Sequence, residues 1–349
     1  MRRLKIVLGI NLLLWTTIIV RDYTPFVETL FVKLFYPLIY TSRAWFFDLI
    51  PFSFGDLWYT LMGMFLIYKL YHARLVDWKG HFLSLISVVS ILLLWFQLSW
   101  GLNYHRTKLT QKIPGKDLYS LTELTQLATF FAHKANDLHH LLSTDEHKAI
   151  SFTSSTPQII KQIEDNYPET GIKGKVKESL YSLPLTYMGF AGYLNPFTLE
   201  AQINGRLPKI NLPVTVAHEI AHQQGYAAEN EANFVAFLHT FNHPNSKINY
   251  AAVLFAFKYL LNELYKADPV KATEIKCHLR LGIVENYTEI SNFWKKYQNP
   301  FEPYFKQSYD TYLKANNQSK GIKSYNEVVL LLIKAFKLDQ EFKIHINNL

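Results

Sequence analysis

The sequence predicts a membrane-anchored α+β protein, predominantly helical, in which N-terminal transmembrane helices precede a larger domain with a small sheet. Three observations lead there. Hydrophobic residues make up 49% of the 349 positions, yet mean hydropathy is only -0.01, because the long apolar runs are confined to the N-terminal third. Helix-start signals recur through the rest of the chain. Strict two-residue alternation occurs in one well-placed stretch.

The apolar runs cover residues 4–20, 50–68 and 82–100, the second containing a single acid, Asp56. Each is near the length that crosses a bilayer core as a helix. No small-residue cleavage site follows Val20 before Arg21-Asp22, so the first run reads as an uncleaved anchor. The segment from Tyr23 to Leu49 is aromatic-rich but broken by Glu28, Lys33, Arg43 and Asp48. It reads as an interfacial connector. Arg2, Arg3 and Lys5 ahead of the first run place the N-terminus in the cytoplasm, and Lys69, Arg74 and Lys79 then fall inside as well. Arg106, Lys108, Lys112 and Lys116 lie on the outer side and oppose this orientation, which the first run decides. The chain thus divides into a membrane region, 1–103, and an extracytoplasmic domain, 104–349.

In the second region Ser120 with Glu123 forms a capping box for a helix running to about Leu142. Thr156-Pro157 and Asp268-Pro269 open two more helices, and Ser324 with Glu327 caps the last. From Phe197 to Asn204 the residues alternate, with Phe197, Leu199, Ala201 and Ile203 on one face and Thr198, Glu200, Gln202 and Asn204 on the other. This predicts a half-buried strand, with Ala149 to Thr153 as its neighbour. The lone Cys277 excludes an intrachain disulfide framework. A net charge of +8 comes without a basic stripe interleaved with aromatics. Nucleic acid is therefore excluded as a partner, and anionic lipid headgroups of a bilayer are the expected counterpart.

The chemistry concentrates in His218-Glu219-Ile220-Ala221-His222, with Glu229 seven residues on. Pro213 marks a first helical turn with Asn211 before it, and Gly225 ends the helix, so both histidines project from one face a turn apart. Two imidazoles and a downstream carboxylate are a zinc ligand set, and Glu219 beside them is placed to act as general base. Either Glu229 or Glu231 supplies the third ligand. Glu229 shares its helical face with Ala232, Asn233 and Ala236, which allow a close approach, whereas Glu231 shares a core stripe with Phe234, Val235 and Leu238. The face argument favours Glu229, with Asn233 orienting a ligating histidine through a hydrogen bond. Tyr193, Tyr226 and Tyr325 are candidate oxyanion donors.

On these residues the chain resembles the gluzincin metallopeptidases, whose HExxH helix is followed by a helix carrying a Glu ligand in a Glu-x-x-x-Asp arrangement. Here Glu229-Asn230-Glu231-Ala232-Asn233 carries Asn in place of Asp, and the gap after His222 is shorter. A longer resemblance is to a family of bacterial membrane proteins of unknown function with HExxH in an extracytoplasmic domain. It rests on Pro51-Phe52-Ser53-Phe54-Gly55-Asp56, the run Trp100 to Arg106, Asn195-Pro196-Phe197-Thr198, Ala217 to Leu238 and Gly321 to Tyr325. The resemblances imply a zincin-like domain with a small sheet in the bacterial inner membrane. They also imply an edge strand before the active helix, with Thr198, Glu200, Gln202 and Asn204 on the face that meets an extended substrate.

The expected function is a membrane-anchored zinc metallopeptidase that hydrolyses peptide or protein substrates outside the cytoplasm. The alternative is a noncatalytic envelope or interaction protein with a structural metal site or none.

Overall fold

A computed structural model gives the fold and describes residues 2–73, 78–167, 172, 174–339 and 342. The chain opens with α1 (Arg2–Val20) and a short α2 (Thr24–Phe26). A π-helical stretch (Val27–Phe35) leads from α2 into α3 (Tyr36–Phe47), followed by α4 (Phe54–Ala73) and α5 (Trp78–Ser99). The aromatic connector is thus helical over most of its length. One side of it, Phe31, Tyr36 and Tyr40, is buried with Trp100 and Leu102 in a small apolar cluster that also takes in Leu199 and Ala227 from the larger region.

The three apolar runs form α1, α4 and α5, but the expectation of three membrane crossings at 4–20, 50–68 and 82–100 is corrected. Among the described residues, no helix is long and apolar enough to cross a membrane. Polar residues recur in each one: Asn11, Thr16 and Thr17 in α1, Asp56, Thr60 and Lys69 in α4, and Ser84, Ser87, Ser90 and Gln97 in α5. Some of these polar groups are spoken for. Ser90 Oγ donates to Asn11 at 3.2 Å, which ties α5 to α1, and Lys69 meets Ser84 at 3.3 Å. The outward faces are nonetheless apolar, with Leu12, Met64 and Ile67 each more than 60% exposed.

A 3-10 turn (Gly101–His105) leads to α6 (Leu109–Lys112), α7 (Leu121–Leu142) and α8 (Thr156–Asn166). The start of α7 bears out the capping box: Glu123 N–H donates to Ser120 Oγ at 3.2 Å, and Ser120 N–H to the Glu123 carboxylate at 2.7 Å. Then come β1 (Val176–Glu178), α9 (Ser182–Met188), β2 (Gly192–Leu194), β3 (Ala201–Ile203), α10 (Leu212–Gln223) and α11 (Glu229–Thr240). The chain continues through α12 (Ser246–Ala267), α13 (Pro269–Cys277), α14 (Leu281–Lys296) and α15 (Glu302–Ala315) to α16 (Val328–Leu338). Asp268 caps α13 by accepting from Lys271 N–H at 2.9 Å. Ser324 and Tyr325 have side chains outside the described residues, as do Arg74 and Lys79. Phe131, Phe234, Phe237 and Phe257 are fully buried where α7, α11 and α12 meet, and this core fixes the helix pair α10 and α11.

The sheet differs from the sequence expectation in three ways. The strand predicted over Phe197–Asn204 is only Ala201–Ile203, because Asn195 Oδ1 accepts from the Phe197 and Thr198 N–H groups, and Leu199 sits at φ 55°. Its neighbours are β1, paired in parallel with Val176 opposite Ala201, and β2, antiparallel with Gly192 opposite Ile203. Ala149–Thr153 is no strand, and Ile150 gives both backbone groups to the Asn286 side chain instead. With strand order β1-β3-β2, β3 is central and β2 is an edge.

Candidate metal centre

Helix α10 carries both histidines on the face turned towards α11. Pro213 occupies its first turn, and Gly225 stops it at φ 85°. Gly225 N–H donates to His222 O at 2.8 Å and Tyr226 N–H to Ala221 O at 3.1 Å, so the chain reverses within a few residues. A side chain at Gly225 would meet Asn103 Oδ1 at 2.9 Å, which adds a steric reason for glycine. The short turn then starts α11 at Glu229 itself.

The two helices bring His218, His222 and Glu229 together, with one ligand atom from each lying within 4.8 Å of the others. Glu229 Oε2 is 3.2 Å from His218 Nε2 and 3.6 Å from His222 Nε2. Around a tetrahedral ion bound at about 2.0–2.1 Å, ligand atoms sit about 3.4 Å apart. The spacing therefore fits zinc. His222 Nδ1 lies 2.7 Å from Tyr226 O, an N–H donation that leaves the Nε2 lone pair facing Glu229. Tyr309 O–H donates to Glu229 Oε1 at 2.5 Å, so Oε2 is the oxygen turned to the imidazoles. That Oε2 is buried without a hydrogen-bond partner, as is Oε2 of Glu219. Buried carboxylate oxygens of this kind are costly unless a cation meets them, and a divalent ion at this point suits the donor set.

The charges agree with a crowded acidic site. Burial raises the Glu219 carboxyl to about 8, and neighbouring Glu229 pushes the same way. Burial works against the His222 imidazolium, but Glu229 outweighs it and lifts His222 to about 9. Burial and the neighbouring His222 lower His218. Glu229 is buried too, yet the two histidines hold it well below the usual carboxylate range.

Glu231 is set apart from this cluster. It accepts Leu109 N–H at 2.7 Å and lies in the field of Arg106, so the geometry places Glu229, not Glu231, among the histidines. Asn233 is adjacent to His218 and to Tyr259, but its Nδ2 has no hydrogen-bond partner. Of the oxyanion candidates, Tyr193 O–H donates to Asp56, and the Tyr226 ring lies under Arg106 at 4.2 Å.

The expected substrate face is corrected. Thr198, Glu200, Gln202 and Asn204 are all buried. Glu200 accepts Gly55 N–H at 2.6 Å and Phe54 N–H at 3.2 Å and pairs with Lys177 at 2.6 Å. The Gln202 amide meets Ser53 Oγ at 3.0 Å, Asn204 Nδ2 donates to Thr186 at 2.8 Å, and Thr198 Oγ1 accepts Glu200 N–H at 3.4 Å. Glu200 and Gln202 thus lock the start of α4 to the sheet, and Asn204 ties the end of β3 to α9. Asp56 belongs to the same lock: it accepts from Ser179 Oγ at 3.0 Å and Leu180 N–H at 2.7 Å. The strand that approaches Glu219 is β2, where a side chain on Gly192 would come within 2.5 Å of Glu219 Oε1.

His218, Glu219, His222 and Glu229 open onto a cavity of about 1540 Å³, lined by β2, the inner face of α5, and parts of α12, α14 and α15. Tyr309 is the functional residue that the sequence did not signal. It lies 80 residues beyond Glu229 with no motif around it.

No curated protein and no solved structure matches this chain. One family profile, described as protein of unknown function (DUF3810), matches residues 31–333, well over half of the chain and all of the metal centre. The description carries no activity, so any activity must be argued from the site. By that match the chain belongs to the DUF3810 family.

Proposed function

We propose that this protein is a zinc-dependent metallopeptidase. The observation that carries the reading is the convergence of His218 Nε2, His222 Nε2 and Glu229 Oε2 at tetrahedral spacing on the wall of a large cavity, with Glu219 beside them. Three protein ligands facing an open cavity match the pattern of catalytic zinc, whereas structural sites are closed by a fourth. Among the described residues the cluster has three members.

Zinc held by these residues would polarise a scissile carbonyl and lower the pKa of a water at the site. Glu219 takes the proton from the attacking water and returns it to the leaving amine. Tyr226 O holds His222 in the tautomer that ligates, and Tyr309 holds Glu229 with one oxygen free. The free edge of β2 pairs with the substrate backbone and carries it past Glu219, the part first assigned to the polar face of residues 198–204.

We place the protein at the bacterial inner membrane, with the apolar outer faces of α1, α4 and α5 against lipid. The exposed Leu12, Met64 and Ile67 support contact with a bilayer.

The test is elemental analysis for zinc together with hydrolysis of a mixed peptide library. Wild type should hold about one zinc per chain and cleave peptides, His218→Ala and Glu229→Ala should lose zinc, and Glu219→Gln should keep zinc without cleavage. Folded protein that takes up no zinc would sink the reading and leave an envelope or interaction protein.

A further inference from the structure

The cavity at Glu219 is larger than a peptide's own side chains call for, and its walls are unequal. Compact ligand sites run to about 300–1,000 Å³, whereas this one measures about 1540 Å³. One wall is a continuous apolar stripe on α5 formed by Val89, Leu92, Leu93 and Phe96, with Leu66 of α4 across from it. The spacing i, i+3, i+4, i+7 puts the four α5 residues on one helical face. Over seven residues that face runs about 10 Å before reaching Trp100, whose ring lies 5.9 Å from that of His222. Val89 and Leu93 are 44% and 47% exposed, so the described residues leave nearly half of each uncovered. The apolar track thus leads from the α4/α5 gap directly to the metal centre.

The opposite wall carries a cation. Lys258 on α12 lines the cavity one residue from Tyr259, which neighbours Asn233 and feels the Glu229 charge. Lys258 is exposed to the cavity, the apolar surroundings lower the pKa of its ammonium, and no carboxylate among the described residues offsets the effect. A wholly apolar occupant, such as a membrane-spanning helix, would leave that charge without a partner. An occupant with a long apolar chain at one end and a polar, anionic part at the other satisfies both walls. Between them stand Glu219 and the free edge of β2, which present backbone groups and a base to an amide.

We propose that the substrate of this site is a lipid-modified peptide, its acyl chain lying along the α4/α5 wall and its peptide part running past Glu219 on β2 towards Lys258. The inference rests on the metallopeptidase reading for the identity of the bond attacked, but the acyl track is a claim about binding alone.

The experiment uses the full chain in lipid nanodiscs, as the Glu219→Gln variant, with zinc content measured on the same sample. The probe is a short peptide with a C-terminal carboxylate, N-acylated with a palmitoyl chain that bears a terminal diazirine. After irradiation the labelled residues are mapped by mass spectrometry. Label should fall on Leu66, Val89, Leu92 and Leu93, and excess unlabelled palmitoyl peptide should compete it away. The unacylated peptide, palmitate and phospholipid should compete at least about tenfold less well, since the peptide lacks the acyl chain and the two lipids lack the amide backbone that pairs with β2 beside Glu219. Leu93→Trp, which fills the track, should cut labelling by a similar factor while zinc content stays unchanged.

Label spread over the outward residues Leu12, Met64 and Ile67 would overturn the proposal, because it would report the bilayer alone. Equal competition by phospholipid or palmitate would overturn it too, in favour of a lipid pocket. Labelling of the track in protein that binds no zinc would uphold the acyl site and remove the peptidase reading. Zinc binding without track labelling, where the wild type cleaves unacylated peptides, would do the reverse.

Discussion

Two buried polar clusters, one around β3 and the start of α4 and the other on α10 and α11, behave in opposite ways. In the lock between α4 and the sheet, Glu200 has three donors, and Gln202, Asn204 and Asp56 each have partners. In the helix pair α10 and α11, Glu219 and Glu229 are equally buried, yet each keeps one oxygen without a hydrogen bond, turned to a cavity or to the two imidazoles. Saturated polar groups hold a fold in one arrangement, and unsaturated ones facing open space are available for a cation or a reacting group. The difference separates a structural from a chemical role more sharply than exposure does, since both clusters are buried.

The largest effect that sharpens this contrast is on turnover. Glu219→Gln should reduce peptide hydrolysis by about 10²–10⁴-fold, the range expected for a lost general base, with zinc content and melting temperature near those of wild type. A comparable loss of zinc would show that Glu219 serves the metal centre's integrity instead. The matching change in the lock, Glu200→Ala, should do the converse. It leaves the Lys177 ammonium with the Phe47 and Phe52 carbonyls but no counter-charge, and takes the acceptor from two backbone N–H groups, so stability in a denaturant titration should fall by about 3–5 kcal/mol, while the folded fraction still binds zinc. A stable Glu200→Ala protein would remove the lock.

Tyr309→Phe comes next. It deletes the donor to Glu229 Oε1 but leaves the ring against Phe190 at 5.4 Å. Loss of an orienting partner of this kind weakens metal binding by about 10–100-fold. Competition with a zinc chelator would read it directly. An unchanged affinity would mean that α11 alone fixes the carboxylate.

Local signals in the sequence survived folding and nonlocal ones did not. His218, His222 and Glu229 were legible because helical spacing and one glycine turn decide their positions within a dozen residues. The caps at Ser120 and Asp268 were legible for the same reason. Alternation over Phe197–Asn204 identified a strand but not its place in the sheet, and burial on both faces reversed the meaning of its polar residues. β1 and β2 are three residues each, too short for any period to show. The Asp56 lock joins segments more than 120 residues apart, and the Tyr309 contact spans 80. Only tertiary packing creates such pairs. The apolar runs announced the helices α1, α4 and α5, but among the described residues none of these is long and apolar enough to cross a membrane.

The smallest effect lies on the ligand helix itself. His239 stands on α11 two turns beyond Asn233, half-buried with its ring 4.0 Å from that of Tyr167. Burial alone depresses its pKa from 6.5 to about 4. Between those values the unfolded chain takes up the proton and the folded chain does not, so the stability due to neutral His239 declines as pH falls from about 6.5 towards 4. At pH 5.5 the loss is about 1 kcal/mol. The metal centre has its own pH dependence, so the measurement is a difference: melting temperature from pH 7.5 to 5 for wild type and for His239→Leu, both with chelator present. The wild type should fall more steeply, and zinc content of the two at pH 7.5 should agree. Parallel slopes would show that His239 titrates as an ordinary surface histidine. A zinc deficit in the variant would instead extend the unsaturated cluster along α11, and the line between the two kinds of buried polar residue would have to be drawn further down that helix.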